Sequence, residues 1–328
     1  MEIVKKIVGE RPSRVVFKSA VSVVLVLLMV LSLLGGCAGT PDGSAPNSTP
    51  LMWQVTSPDG QTMYLFGSIH AAGEELYPLP TAVTKAFDRC DALAVEVDMV
   101  AFETDMKAQM DMTQRLMYPS GQTIADEIGD ELYEKAKSVL VQLEPELKLG
   151  FPLDMMDNFK PFMWESLLTS VSIERAGLSA EHGLDMYFLK SAKERDIEII
   201  EVESMDEQLD IMLGFSGPVN AYLLEGLLDV EGAALELKEL YSLWKQGDAL
   251  MIEEFLDSDF EGMPEELVDE YKDSFMTQRN LKMAEAAEQY MTEGKTVFYV
   301  VGLAHLLGED GLVELLKHSG YTLERINP

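Results

Sequence analysis

Two stretches of sequence decide the fold, "MYLFGSIH" at residues 63–70 and "VFYVVGLAH" at residues 297–305. Each is an apolar run followed by a glycine, two further residues and a histidine. The chain has only four histidines and 24 glycines among its 328 residues, so this repeated arrangement is not expected by chance. A near-continuous apolar run bounded by a glycine predicts a strand buried on both faces of a sheet.

The spacing of these stretches has a physical rationale. Gly67 and Gly302 would let the backbone turn sharply where each strand ends, because glycine has no Cβ atom. His70 and His305 would then project from the carboxyl edge of the sheet, where ligands bind in open α/β folds. We expect the two strands to be neighbours although they come from opposite ends of the chain, so that both imidazoles meet at one point.

The remaining pattern predicts an α/β fold over residues 51–328. Its central, mostly parallel sheet is built from the N- and C-terminal segments, with a large helical insertion at about 100–293 that is interrupted by a strand at 197–203. The strand–helix–strand pattern that ends the chain predicts a right-handed crossover and parallel pairing of its two strands. Strands are predicted at residues 51–56, 62–68, 92–98, 197–203, 296–302 and 321–326.

The first 50 residues predict export and attachment to a membrane. Residues 1–36 combine a basic start, the apolar run "AVSVVLVLLMVLSLL" and small residues, as a secretory signal does. The sequence "LGGC" resembles a bacterial lipobox, in which Cys37 becomes the lipidated first residue. Residues 37–50, rich in Gly, Ser, Pro and Thr, predict a flexible tether. We expect a lipid-anchored protein on the extracytoplasmic side of the cell membrane; an uncleaved N-terminal anchor, the alternative, gives the same side.

The charge balance excludes some partners. The chain has 57 acidic and 25 basic residues and a net charge of −32, and the first 36 residues contain more basic than acidic side chains. Such an acidic protein repels nucleic acid and anionic headgroups, so neither is expected as a direct partner. Once Cys37 is lipidated, Cys90 is left without a partner for an intramolecular disulfide. The oligomeric state is not fixed by the sequence.

Carboxylates near the predicted sheet edge suggest what the histidines do. Two imidazoles and a carboxylate form a site for Zn, Mn, Co or Fe. Glu96 is the nearest candidate, because a charge within an apolar strand is unfavourable unless it is paired or coordinating. Asp98 and Glu203 are further candidates. The alternative, that His70 and His305 are satisfied core histidines capping turns, is less favoured for a matched pair.

Several stretches, which cover most of residues 51–328 in matching order, resemble the TraB/PrgY/GumN family, which also contains the Tiki metalloproteases. They are "MYLFGSIHAAGEELYPLP", "GLDMYFLKSAKERDIEIIEVESMDEQL", "SLWKQGD", "QRN" and "VFYVVGLAHLLGEDGLVELLKHSGYTLERI". The resemblance implies an α/β fold with a divalent-metal site formed by His70, His305 and Glu96. Further positions that match the family are Gly67, Gly302, Gly183, Asp185, Glu203, Arg279 and Asn280.

The resemblance also implies a range of activities. Tiki members cleave peptides with a Mn- or Co-type ion, PrgY-like members shut off peptide pheromone signalling, and related erythromycin esterases use similar motifs on ester bonds. We therefore expect a metal-dependent hydrolase that cleaves peptide bonds or acts on a small molecule. The alternatives are an esterase and a non-catalytic surface protein that binds or sequesters a peptide or small ligand.

In the expected hydrolase, a divalent ion (Mn, Co or Zn) held by His70, His305 and a carboxylate activates water. Either Glu96 or Glu203 is the carboxylate ligand, and the other acid moves the proton. Arg279 would hold a substrate carboxylate or stabilise an oxyanion.

Overall fold

A computed structural model describes residues 47–147, 149–258 and 260–327. The predicted signal peptide, Cys37 and the tether up to residue 46 lie outside these residues. Residues 47–50, which the sequence assigned to the tether, lie against the domain, and the Thr49 backbone N–H donates to the Lys245 carbonyl oxygen at 2.8 Å. Within the described ranges, none of the helices has both the length and the apolar character needed to cross a bilayer.

The described chain contains one mixed sheet of six strands. Four strands pair in parallel at its centre and on one side, while the first strand is antiparallel to both of its neighbours. The predicted α/β fold with a central, mostly parallel sheet is confirmed. The strands are β1 (Met52–Thr56), β2 (Thr62–Ser68), β3 (Ala92–Val95), β4 (Glu198–Glu201), β5 (Val297–Gly302) and β6 (Thr322–Arg325), in the spatial order β4-β3-β5-β2-β1-β6.

The structure corrects two expectations about strands. β3 ends at Val95 and β4 ends at Glu201, so Glu96 and Glu203 follow their strands instead of lying within them. The predicted parallel pairing of the last two strands is wrong, because β6 pairs antiparallel with β1. The physical reason is that β5 is hydrogen-bonded on one side to β2 and on the other to β3, which leaves it no free edge.

Helices connect the strands and form the insertion. The insertion is helical on both sides of β4. The α-helices in the described residues are α1 (Thr81–Phe87), α2 (Met99–Phe102), α3 (Met106–Arg115), α4 (Ala125–Ile128), α5 (Asp130–Leu143), α6 (Pro161–Ala176), α7 (Leu184–Glu194), α8 (Met205–Gly214), α9 (Gly217–Leu227), α10 (Val230–Gln246), α11 (Ala249–Ser258), α12 (Glu265–Tyr271), α13 (Gln278–Thr292) and α14 (Leu312–His318).

Buried apolar side chains form two clusters. The sheet core surrounds β2 and β5, and every residue of β5 is buried, as expected for a central parallel strand. The helical core lies within the insertion and is centred on side chains such as Trp164, Leu168 and Leu224. Ala304 belongs to the helical core although it lies only two residues after the end of β5. The residues after β5 therefore lie where the two cores meet.

Candidate active site

The two motif strands lie side by side. β2 and β5 are parallel neighbours, with Gly67 opposite Val301 and Ser68 opposite Gly302. Their carboxyl ends consequently reach the same edge of the sheet, and His70 and His305 follow at that edge. The prediction that the two stretches are neighbours in space is confirmed.

The space beside Gly302 is where the expected ligands meet. A Cβ atom built on Gly302 would lie 3.3 Å from Glu96 Oε1, 3.5 Å from His70 Nε2 and 3.7 Å from His305 Cδ2. The Gly302 backbone N–H donates to Glu96 Oε1 at 2.7 Å and so fixes that carboxylate in place. We call this volume the ligand space. It exists because residue 302 has no side chain to fill it.

Close packing, not a sharp turn, explains the two motif glycines. Gly302 has φ −52°, and Gly67 is not among the glycines with positive φ, so neither needs a left-handed backbone. A Cβ atom on Gly67 would lie 2.9 Å from Leu306 Cδ1 and 3.3 Å from Leu303 Cβ. Gly67 thereby lets the 3₁₀ turn that carries His305 pack against β2. The chain does turn directly after Gly302, and the predicted avoidance of a Cβ clash agrees with the contact at Gly67.

His70 is held by a carboxylate. Its Nδ1 lies 2.7 Å from Asp185 Oδ2, and the Ser68 hydroxyl donates to Asp185 Oδ1 at 2.8 Å. Gly183, at the start of α7, permits this approach, because a Cβ atom there would lie 2.2 Å from the His70 carbonyl oxygen. Burial lowers the pKa of His70, but the charge and hydrogen bond of Asp185 outweigh it and raise the pKa overall. His70 Nε2 is buried without a hydrogen-bond partner.

His305 is held by an amide. Its Nδ1 lies 2.6 Å from Asn280 Oδ1, while Asn280 Nδ2 donates to the Asp310 carbonyl oxygen at 2.8 Å. Since the amide oxygen can only accept, Nδ1 carries the hydrogen, and Nε2 keeps its lone pair. Burial, followed by the positive charge of Arg279, lowers the pKa of His305 well below its usual value. His305 is therefore a neutral imidazole.

Behind the ligand space lies a buried arginine cluster, which consists of Glu96, Glu203, Gln208 and Arg279. Arg279 Nη2 lies 2.6 Å from Glu96 Oε2 and 2.7 Å from Glu203 Oε2. Burial opposes the charge of Arg279, but the two carboxylates raise its pKa. Its guanidinium contacts Glu96 and Glu203, and its contact with a substrate stays a prediction.

Gln208 was missed by the sequence analysis. Its Nε2 donates to Glu203 Oε2 at 2.9 Å and to Glu96 Oε2 at 3.2 Å. In the sequence it follows the capping box that Ser204 and Glu207 form at the start of α8. It therefore looks like an ordinary helix residue, and only its position four residues after the cap, facing inward, distinguishes it.

Other candidates lie elsewhere. Asp98 caps α2 by accepting from the Ala101 backbone N–H at 2.9 Å and pairs with Lys193 at 3.0 Å, so it is not part of the site. His318 is exposed at the end of α14. Cys90 is buried.

The donor chemistry of the ligand space suits a divalent cation. Glu96, Glu203 and Asp185 carry three formal negative charges, while Arg279 supplies one positive charge. When both histidines bind a metal as neutral imidazoles, two negative charges remain uncompensated, which a divalent ion would balance. The buried, unpartnered Nε2 of His70 supplies a ligand atom.

The ligand set is nevertheless not closed. Across the described ranges, no group of three or more His, Cys, Asp or Glu side chains is arranged to hold a metal ion. Glu96 explains this, since its Oε1 accepts from the Gly302 N–H and its Oε2 contacts Arg279 and Gln208. A bound ion would compete with these contacts.

Comparison with known proteins identifies the family. The TraB/PrgY/gumN family model matches residues 51–325, and the chain belongs to this family. The chain is 26% identical to the uncharacterized protein YbaP of Escherichia coli K12 over 263 residues, which cover 80% of this chain and 90% of YbaP.

Two animal proteins are more distantly similar. The metalloprotease TIKI homolog of Nematostella vectensis is 23% identical over 88% of this chain and 69% of its own length. Metalloprotease TIKI1 of Xenopus tropicalis is 22% identical over 79% of this chain and 58% of its own length. No solved structure matches the chain.

Proposed function

We propose that this member of the TraB/PrgY/gumN family is a metal-dependent hydrolase that cleaves peptide bonds. The observation that carries the proposal is the ligand space beside Gly302, where the buried, unpartnered Nε2 of His70 lies close to Glu96 Oε1. The similarity to two proteins named as metalloproteases supports it.

The ligands we assign are His70 Nε2, His305 Nε2 and Glu96 Oε1. Glu96 is preferred to Glu203, because Glu96 Oε1 borders the ligand space, whereas both Glu203 oxygens contact Arg279. A bound Mn, Co or Zn ion would activate a water molecule and polarise the scissile carbonyl. Three protein ligands leave coordination positions for water and substrate, as a catalytic site requires.

The surrounding residues position these ligands. Asp185 fixes the ring of His70 through Nδ1, and Asn280 fixes the ring of His305 in the same way, so that each ring presents Nε2. Arg279 and Gln208 hold the carboxylate of Glu96. We assign Glu203 to this support and not to proton transfer, because its contacts are with Arg279 and Gln208.

A non-catalytic binding protein is the second candidate, and one observation favours it. Glu96 has hydrogen-bond partners on both oxygens, and His305 is only 1% exposed. A carboxylate whose oxygens are both satisfied does not need a metal ion, and such a site can bind a peptide nearby without turning it over. An esterase is the third candidate, and no contact in the structure distinguishes it from a peptidase.

Elemental analysis of the purified protein tests the proposal. We expect about one Mn, Co or Zn ion per chain, as a mononuclear site requires, and metal-dependent peptide cleavage measured by mass spectrometry. His70→Ala and His305→Ala should lose both properties. His318→Ala is the matched control, because that histidine is exposed and lies outside the site.

Gly302→Ala provides a test that leaves the ligands themselves unchanged. Its methyl group would lie 3.3 Å from Glu96 Oε1 and fill the ligand space, so metal content should fall. Gly214→Ala is the control, because no atom lies within 4 Å of a Cβ there. The enzyme would be excluded if the wild-type protein contained no metal and the variants His70→Ala and His305→Ala still bound peptide. Ester cleavage without peptide cleavage would favour the esterase.

We further propose that the protein is held on the extracytoplasmic side of the cell membrane through lipidated Cys37. The signal-like sequence of residues 1–36 supports this. Cys37→Ala should shift the protein from the membrane fraction and abolish labelling by a fatty-acid precursor. Membrane retention of that variant would indicate an uncleaved N-terminal anchor.

A further inference from the structure

We infer that a cavity next to His305 receives a basic side chain, lysine or arginine, of a peptide ligand. The cavity has a volume of about 320 Å³ and is bounded by α11, α12, the π-helix at Lys272–Thr277 and the turn after β5. We call it the side cavity. The inference rests on the proposed function only for cleavage of the peptide. Recognition of the basic side chain requires binding alone.

The side cavity shares a wall with the candidate active site. Asn280, which lines it, is the residue that holds His305 Nδ1. Ala304, which directly precedes His305, lines it as well. Phe275 lies between the two regions, with its ring centroid 6.4 Å from that of His305. A peptide bound at the ligand space would therefore lie next to the cavity that Asn280 and Ala304 line.

One wall of the side cavity is aromatic. The rings of Phe260, Tyr271 and Phe275 are in contact, with centroids 5.7 Å apart for the first pair and 5.0 Å apart for the second. Such a wall accommodates the apolar stem of a long side chain. Aromatic faces also attract a cation through their quadrupole.

The rim of the side cavity is acidic. Among the described residues that line it, four are acidic and Lys272 is the only cation; the acidic residues are Glu253, Asp257, Glu309 and Asp310. Among the described residues, Lys272 pairs with Asp257, and the other three acids have no ion-pair partner. An acidic ligand side chain would be repelled here. A basic one would complement both the wall and the rim.

Lys272 shows how a cation is held in this cavity. Its Nζ lies 4.6 Å from the centroid of the Phe260 ring and 3.3 Å from Asp257 Oδ1. The ammonium group of the protein itself thus lies between an aromatic face and a carboxylate. A ligand lysine or arginine would use the same chemistry with the unpaired carboxylates, and it would compete with Lys272 for Phe260.

The test is a set of fluorescein-labelled peptides that are identical except for one position, which carries lysine, norleucine or glutamate. The variable position is moved along the peptide, and affinity is measured by fluorescence anisotropy in the presence of the loaded metal. At one position we expect lysine to bind about tenfold more tightly than norleucine, the effect of one cation–π contact and one ion pair. Glutamate should bind most weakly.

Two variants should change this preference in opposite directions. The double variant Glu253→Gln with Glu309→Gln should reduce the preference for lysine to about twofold, since it removes rim charges. Lys272→Met should strengthen binding of the lysine peptide, because it removes the competing ammonium. The control is Glu194→Gln with Glu239→Gln, which removes the same charge from two exposed residues away from the cavity and should change nothing.

The outcomes separate this inference from the proposed function. Equal affinity for lysine and norleucine at every position overturns the inference, whether or not the peptide is cleaved. Preference for lysine that is lost in the rim variant, without cleavage, supports the cavity and excludes the hydrolase. Cleavage without any preference supports the hydrolase and excludes the cavity.

Discussion

His70 and His305 follow the same sequence motif, yet their environments differ. Nδ1 of His70 contacts the carboxylate of Asp185 on α7, whereas Nδ1 of His305 contacts the amide of Asn280 on α13. His305 is buried and His70 is mostly buried, with 13% of its side chain exposed, and burial alone would lower the pKa of each. The pKa of His70 is nevertheless raised and that of His305 is lowered.

The difference shows that the motif and the partner helix set different properties. The strand and its glycine place each ring at the sheet edge, and this part is shared. The helix that supplies the second contact decides the charge of the ring, and this part is not shared. One imidazole can carry a proton beside a carboxylate, while the other is a neutral donor of a lone pair.

The largest expected effect is loss of activity when either ring is removed. His70→Ala and His305→Ala should each reduce kcat/KM by about 10³-fold or more, because each would remove a group that acts in the transition state. The measurement is steady-state peptide cleavage with saturating metal, with His318→Ala as control. A much smaller loss for one histidine would show that only one half of the pair is functional.

The next effect concerns Glu96 and Glu203, the two carboxylates that pair with Arg279. Arg279→Met would leave Glu96 and Glu203 buried without their cation, and this should destabilise the fold by about 3–5 kcal/mol. Arg279→Lys should destabilise it less, since it keeps the charge but loses the planar contacts. Urea unfolding followed by circular dichroism measures both. Equal stability of wild type and Arg279→Met would mean that the arginine cluster does not hold Glu96 in place.

The sequence predicted the two strands and their glycines better than the residues that contact Nδ1 of each histidine. The apolar runs before Gly67 and Gly302 identified the two central strands, because a strand buried on both faces must be apolar throughout. The charge of Glu96 in an apolar stretch identified a residue of the site. These signals are local, so a single sequence contains them.

The remaining features depend on distant segments. The position of β6 depended on which sheet edge was free, and that was decided by β2 and β3. Gln208 contacts residues that follow two other strands, so no pattern around it signals the site. Asp185 and Asn280 were matched through the family, but the histidine that each one holds became visible only in the fold.

Exchanging the charges of Asp185 and Asn280 tests directly whether these residues cause the opposite pKa shifts of His70 and His305. Asp185→Asn should weaken metal binding by about tenfold to a hundredfold, as the loss of a residue that orients a ligand does. In the metal-free protein it should also lower the pKa of His70, because the raising charge is gone. Asn280→Asp should raise the pKa of His305. Chelator competition measures the affinity, and NMR titration of the ring protons measures the pKa values.

One result of that exchange would contradict the interpretation that the Nδ1 contacts set the pKa of each histidine. If Asp185→Asn and Asn280→Asp shift both rings in the same direction, the partners do not determine the difference between His70 and His305. Ser68→Ala is the milder control, since it removes one hydrogen bond to Asp185 but leaves its charge.

The last expected effect lies outside the site, at a buried group that lacks such a partner. Glu165 on α6 is buried, and its Oε1 has no hydrogen-bond partner. Burial, with a contribution from Glu127, raises the pKa of Glu165 from 4.5 to about 8. The folded protein therefore holds this proton more tightly than the unfolded chain.

The sign of the pH effect follows from this raised pKa. Below about pH 4.5 Glu165 is protonated in both states and does not change stability. Between that pH and about 8 the unfolded chain gains stability by releasing the proton, so folding weakens by roughly 1.4 kcal/mol per pH unit. Glu165→Gln should match wild type in urea unfolding at pH 4 and exceed its stability at pH 7, while Glu194→Gln should do neither. Equal stability of Glu165→Gln and wild type at both pH values would mean that Glu165 finds a partner, as His70 does.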